Sequence, residues 1–309
     1  MEGGFKHYSV MLKESIDNLN IKPDGIYADA TTGGGGHSLQ IAKRLGSGRL
    51  ICVDTDSDAL KAAKIRLADY KDKITFVKSN FVETDNYLKD TYLDGMIIDL
   101  GVSSYQLDTV ERGFSYMRSG PLDMRMDRES SFTCEALVNT YGREELIRVM
   151  SEWGEEKFSP HIADNIIKAR EEKKLSDTLE LAEIIRRSIP KKTWGNDKHP
   201  EKRAFQAFRI EVNRELDVIE PTLRDVVYRL KPGGRLCVIT FHSLEDRIVK
   251  QTFADLAKGC TCPPDFPVCV CGNKPKVKII TKKPILPGMD ELEENSRSKS
   301  AKLRVCEKL

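Results

Sequence analysis

A chain of 309 residues, 39% apolar and 32% charged, can hold one large domain or a domain carrying a sizeable insertion. No apolar run approaches the roughly 20 residues that span a bilayer, and the N-terminus lacks a signal peptide's apolar stretch, so a cytoplasmic location without membrane contact is expected. Eight cysteines spread over this length do not form a disulfide framework, and the net charge of +2 conceals local segregation.

Short apolar, β-rich runs at 26–30, 50–53, 74–77 and 96–100 alternate with amphipathic stretches such as 58–70. That alternation predicts parallel strands buried on both faces and joined by right-handed crossovers into a doubly wound sheet. Between the first two strands runs Asp29-Ala-Thr-Thr-Gly-Gly-Gly-Gly-His37. Consecutive glycines let the backbone turn through positive φ and leave no Cβ between main chain and ligand. Asp54 follows Gly35 by nineteen residues, where a Rossmann-like unit places a carboxylate for a ribose diol. The turn therefore reads as a nucleoside-cofactor site and leaves the cofactor open.

After 96–100 the alternation stops. From 131 to 230 only helical patterns occur, at 144–153, 160–173, 178–188 and 202–216. Asp177 and Glu180 have the spacing of an N-terminal cap, and Pro190 ends that helix. Lys231-Pro-Gly-Gly234 reads as a turn before a fifth strand at 236–241, and strand-like runs at 277–281 and 303–306 follow. The expected architecture is α/β: a core of residues 1–107 and 216–309 with a seven-stranded Rossmann-like sheet. An all-helical insertion, 108–215, separates strands four and five. From Arg186 to Arg214 nine basic residues face three acids, a composition suited to an anionic partner such as nucleic acid.

A dinucleotide site needs a Gly-x-Gly-x-x-Gly turn for its pyrophosphate. Here the register is Gly33-x-Gly35-x-x-Ser38, without the final glycine. S-adenosylmethionine carries no phosphate and needs a close backbone approach, a ribose acid and an apolar slot. Together with the seven-strand ending, the turn fits a class I S-adenosylmethionine methyltransferase better than a nucleotide-dependent dehydrogenase. A non-catalytic RNA-binding protein that keeps this fold is a further alternative, which the intact turn and the Asp99 loop oppose.

Six segments are more specific: Asp99-Leu-Gly-Val-Ser-Ser104, Glu111-Arg-Gly-Phe-Ser-Tyr-Met117, Gly120-Pro-Leu-Asp-Met-Arg-Met-Asp127, His199-Pro200, Phe205-Gln-Ala-Phe-Arg-Ile-Glu-Val-Asn213 and Phe241-His-Ser-Leu-Glu-Asp-Arg247. By these the chain resembles the bacterial 16S ribosomal RNA (cytosine-N4) methyltransferases of the MraW, or RsmH, type, from Lys6 to the segment 297–304. The resemblance implies methyl transfer from S-adenosylmethionine to the N4 amine of a decoding-site cytosine in 16S rRNA of the small subunit. It implies cofactor contacts at Gly35, Gly36, His37, Asp54, Phe81, Asp99 and Gln106.

For catalysis Asp99 is the first candidate, with Ser103 and His242 beside it and Ser104, Asp123 and Asp127 behind. DNA amino-methylating enzymes often carry an (Asp/Asn/Ser)-Pro-Pro-aromatic loop here; this chain has neither proline nor aromatic. For RNA, the insertion and residues 198–214 are the expected platform, with Arg203 and Arg209 as phosphate ligands. No catalytic metal is expected. Cys260, Cys262, Cys269 and Cys271 read as a loop of reduced thiols, since Cys-x-Cys is less typical of zinc than Cys-x-x-Cys, and any metal there would be structural. Nothing in the sequence sets the oligomeric state.

Overall fold

The computed structural model describes residues 9–194, 198–260, 262, 268 and 270–309, leaving aside the side chains of Ser104, Tyr105 and Ser296. The first part of the chain runs α1 (Leu12–Leu19), β1 (Ile26–Asp29), α2 (Gly36–Arg44), β2 (Arg49–Asp54), α3 (Ser57–Arg66), β3 (Ile74–Lys78), α4 (Thr84–Leu88) and β4 (Leu93–Asp99). A helical stretch follows: α5 (Ser104–Asp108), α6 (Cys134–Thr140), α7 (Arg143–Gly154), α8 (Ser159–Glu172), α9 (Thr178–Ser188) and α10 (Lys202–Asn213). The chain then continues through α11 (Ile219–Arg229), β5 (Leu230–Thr240), α12 (Ser243–Leu256), β6 (Val277–Ile279), α13 (Met289–Glu294) and β7 (Lys302–Lys308).

The seven strands form one sheet in the order β3-β2-β1-β4-β5-β7-β6. The first five pair in parallel, and β7 lies antiparallel between β5 and β6. Leu50 to Val53, Met96 to Ile98 and Leu236 to Ile239 are buried, because helices cover both faces of a parallel sheet. Tyr27, Ile41, Leu50, Ile97, Ile239 and Leu303 belong to a shared core cluster. Arg304 on β7 is buried and forks onto Asp246 of α12 at 2.6 and 3.1 Å, tying the inserted strand to its covering helix.

The segment Lys231-Pro-Gly-Gly234 is not a turn ahead of the strand. Leu230 already pairs with Leu93, and the register resumes at Arg235 opposite Gly95, so the four residues bulge within β5. Gly233 sits at φ +79°, and a Cβ on Gly234 would lie 2.9 Å from the Lys231 carbonyl oxygen. Pairing on both sides of the bulge outweighs the turn preference of Pro-Gly-Gly.

The chain forms two compact units, Met1–Gly101 with Leu216–Leu309, and Val102–Glu215. The first boundary falls six residues ahead of the expected 107/108, because Val102 and Leu107 pack against the apolar cluster of the helical unit. Within that unit Gly154 of α7 approaches α10 so closely that a Cβ would meet the Arg203 carbonyl oxygen at 2.6 Å. Asp177 caps α9 by accepting from the amides of Leu179 and Glu180, the cap that the spacing predicts.

Glu211 of α10 gathers three donors: Tyr141 Oη at 3.1 Å, an Arg148 guanidinium nitrogen at 2.7 Å and Trp153 Nε1 at 2.6 Å. Glu211→Ala removes this acceptor from Tyr141 and Trp153 and leaves Arg148 with Glu152 at 3.3 Å, and we expect it to destabilise the helical unit by about 1–2 kcal/mol. Both tryptophans, Trp153 and Trp194, lie in this unit, so denaturant titration followed by tryptophan fluorescence isolates its transition. An unchanged midpoint would show that Glu211 contributes nothing net.

Candidate active site

Three strand ends converge where the sequence places its glycines. Gly33 and Gly35 adopt φ +50° and +77°, and Gly35 is the residue from which α2 springs. Asp54, at the tip of β2, accepts from the Gly33 amide at 2.7 Å and from the Asp56 amide at 2.8 Å. It thus holds the turn in shape, and each carboxylate oxygen keeps a lone pair for a ribose hydroxyl. Gly36 is bare for a different reason: a Cβ there would fall 1.8 Å from the Ser9 hydroxyl.

Phe81 is half-buried on the loop after β3. That loop is tied to β2 by the Ser79 amide, which donates to the Asp54 carbonyl. The His37 side chain faces away from solvent and bonds the Val10 carbonyl at 3.1 Å. Burial pushes its imidazole down to about 4, so it is neutral at pH 7 and donates through Nε2. The ring anchors the segment before α1, which leaves the backbone at His37 as the part available to a cofactor.

Asp99 ends β4, and its amide donates to Thr31 Oγ1 at 2.7 Å. Its Oδ1 is buried with no hydrogen-bond partner among the described residues. Burial, followed by the charges of Asp29, Glu245 and Glu291, holds this carboxyl well above the usual carboxylate range. Asp29, at the end of β1, is fully buried and accepts from Ser38 Oγ at 2.6 Å. Burial pushes Asp29 up to about 6, with the Asp54 charge adding to the rise, and burial raises Asp54 as well. No lysine or arginine stands in the first turn of α2, and Lys43 and Arg44 occupy its last.

Asp29 therefore binds its proton more tightly folded than unfolded. Stability contributed by the protonated carboxyl is present below the ordinary aspartate value of about 4 and is lost as pH rises through about 6. The loss is on the order of 2–3 kcal/mol. Asp29→Asn should flatten this fall, so that its denaturation midpoint exceeds that of the parent at neutral pH but not near pH 4. Parallel pH profiles for the two proteins would disprove the assignment.

Other candidates hold hydrogen bonds within the fold. Ser103 and Gln106 belong to the helical unit and cap α5 reciprocally: Gln106 Oε1 accepts from the Ser103 amide at 3.0 Å, and Ser103 Oγ from the Gln106 amide at 3.2 Å. In the same unit Asp123 is held by a fork from Arg125 at 2.7 and 2.8 Å, and Asp127 accepts from the Glu129 amide within a turn. His242, expected as a catalytic group, caps α12 in a box with Glu245. Its side chain is 8% exposed, with Nε2 3.0 Å from Glu245 Oε1. A helix beginning directly after β5 needs that cap, which engages Nδ1 through the Glu245 amide at 3.5 Å, while the buried Nε2 makes no hydrogen bond among the described residues.

Arg209 is not an available phosphate ligand, since Glu215 grips it at 2.8 Å through both oxygens. Arg203 is exposed on α10. Of the four clustered thiols, Cys260, Cys262 and Cys271 are described, whereas Cys269 lies outside the described residues, as do the first eight positions, among them Lys6 and His7. Asp29, Thr31, Glu245 and Phe241 were not singled out from sequence, although each lies in or beside a motif that was. Phe241 lies alongside Gly101, whose φ is +101° and whose Cβ would stand 3.4 Å from the ring.

Buried carboxylates whose charges reinforce one another repel a pyrophosphate and favour a cation. A glycine turn held by an acid at the β2 tip suits a nucleoside whose neighbouring group is positive. With the antiparallel β7 between β5 and β6, the sheet has the strand order of class I S-adenosylmethionine-dependent methyltransferases.

The chain belongs to the MraW methylase family, whose pattern matches residues 4–309. It is a methyltransferase, with S-adenosylmethionine as methyl donor. It is 56% identical to the ribosomal RNA small subunit methyltransferase H of Lachnospira eligens, over 99% of this chain and 98% of that one. The protein of the same name from Clostridium botulinum strain Loch Maree is 56% identical, and that of Finegoldia magna 53%, each over 99% of both chains. Among the described residues no helix is long and apolar enough to cross a membrane.

Proposed function

We propose that this protein transfers a methyl group from S-adenosylmethionine to the exocyclic N4 amine of a cytosine in the decoding site of 16S rRNA, acting in the cytoplasm on the small ribosomal subunit. The observation that carries the chemistry is the buried Asp99 Oδ1, which has no hydrogen-bond partner among the described residues and sits at a strand tip beside the acids Asp29, Glu245 and Glu291. The relatives' shared name supports the substrate class.

The donor fits these residues. Gly35 and Gly36 offer bare backbone to its methionine part, Asp54 accepts from the ribose, Phe81 covers adenine, and the strand-tip acids counter the positive sulfur. Bound there, the donor supplies an electrophilic methyl on a sulfonium. The cytosine amine is a weak nucleophile because its lone pair is delocalised into the ring. Asp99, by accepting a hydrogen bond from an amine hydrogen, favours the pyramidal nitrogen and stabilises the positive charge that develops on it. The proton becomes acidic only as the new bond forms, so Asp99 need not act as a strong base beforehand. The target base must leave its stack to reach this depth, and the ring of Phe241 offers it an aromatic face.

The helical unit is the proposed RNA platform, with exposed Arg203 among its phosphate contacts. The deciding experiment uses radiolabelled S-adenosylmethionine and small subunits from cells lacking the activity, followed by mapping of the modified nucleotide. Label on the N4 of one decoding-site cytosine is expected. Label on another atom or another RNA would reject the proposed substrate.

A further inference from the structure

The connection between α12 and β6, residues 257–276, contains no regular secondary structure among its described residues. Inside a compact unit a connection of such length without secondary structure is uncommon. Its two ends are pinned: the Lys276 amide donates to the Leu256 carbonyl at 2.8 Å, and Asn273 Nδ2 to the Gly259 carbonyl at 2.7 Å. The apolar side chains described within it do not form a core, since Val268 is 69% exposed and Val270 74%. What the loop gathers instead is sulfur.

Cys260, Cys262 and Cys271 present thiol sulfurs that all lie within 4.8 Å of one another. Cys260 Sγ and Cys271 Sγ are 3.7 Å apart, far beyond the roughly 2.05 Å of a disulfide bond. A zinc ion bound tetrahedrally with Zn–S bonds of about 2.3 Å sets neighbouring sulfurs about 3.8 Å apart. Each sulfur also accepts from a backbone amide at 3.4 Å: Cys260 from Cys262, Cys262 from Val270, and Cys271 from Asn273. Amides aimed at sulfur stabilise thiolate over thiol, which is the state a metal requires. Gly272 follows Cys271 with φ +63° and open space around it, letting the chain turn tightly beside the sulfur.

We propose that Cys260, Cys262 and Cys271 bind a structural Zn²⁺ ion that fixes the loop between α12 and β6. Three thiols release three protons as they take up the metal, and a further donor completes the tetrahedron. The site lies in the sequence beyond the catalytic motifs, so the ion acts on the loop's conformation and not on methyl transfer.

Full-length protein purified without chelators should carry about one zinc per chain by elemental analysis. The double variant Cys260→Ser/Cys271→Ser should retain about tenfold less. Refolding the parent with Co²⁺ should give the intense sulfur-to-cobalt charge-transfer absorption of a tetrahedral thiolate site, a readout that does not depend on the variant folding. Metal far below one equivalent together with no charge-transfer band would overturn the proposal. So would recovery of Cys260 and Cys271 as a disulfide from protein kept under reducing conditions.

Discussion

Asp99→Asn should lower kcat by about 100-fold or more while weakening cofactor affinity far less. The substitution keeps the size of the side chain and the amide contact from Asp99 to Thr31 Oγ1. It removes a carboxyl whose buried Oδ1 has no partner among the described residues, and which the positive sulfur of a bound donor would favour in its ionised form. An Asn amide can still accept one hydrogen bond from an amine, but it offers no charge to the cation that develops on the nitrogen. The split between kcat and affinity separates this role from a merely structural one. A variant that turns over at the parental rate would rule Asp99 out as the group that receives the amine.

The second large effect is predicted at Gly35. At φ +77° any L-residue is strained, and a Cβ would press to 3.3 Å against the Cα of Ala63, a backbone atom that cannot swing aside. Gly35→Val combines left-handed strain with overpacking against α3, together about 2–4 kcal/mol. It should also abolish S-adenosylmethionine binding measurable by calorimetry, because the branched side chain displaces the turn that Asp54 holds through Gly33. Gly33→Ala is the control: its φ is +50° but nothing crowds the added methyl, so about 1–2 kcal/mol of strain and partial binding are expected. Equal losses at the two positions would mean that conformation alone, and not close approach, explains the glycines.

The sheet was readable because each strand announces itself. The runs at 50–53 and 96–98 are continuous and apolar, as strands buried on two faces must be, and Asp177 marked the start of α9 to the residue. Lys231-Pro-Gly-Gly234 misled, since the signal for a turn and the signal for a bulge are the same residues, and only the pairing of Leu230 with Leu93 tells them apart. The site shows a similar division. Local chemistry marked Gly35, Asp54 and Asp99. Whether an arginine is available depends on a partner six residues away, and Arg209 with Glu215 gives no periodic cue. The cap made by His242 gave no cue either, because a histidine after a strand looks alike whether or not it caps a helix. Asp29 was passed over because an acid at the end of the first strand gains meaning only once Asp54 and Asp99 are seen beside it.

The placement of the helical unit between β4 and β5 has a consequence for how the chain reaches its native state. Lys231 bridges to Asp94 across 137 positions of sequence, and the central strand pair of the sheet is closed over the same span. Contacts inside the helical unit are comparatively local, and local contacts form faster than distant ones. The insertion should therefore collapse first and shorten the effective loop that β5 must close, with β7 adding to β5 only afterwards. Tryptophan emission would then recover early in refolding, and S-adenosylmethionine binding, which needs β1, β2 and β4 in register, would return in a later and slower step.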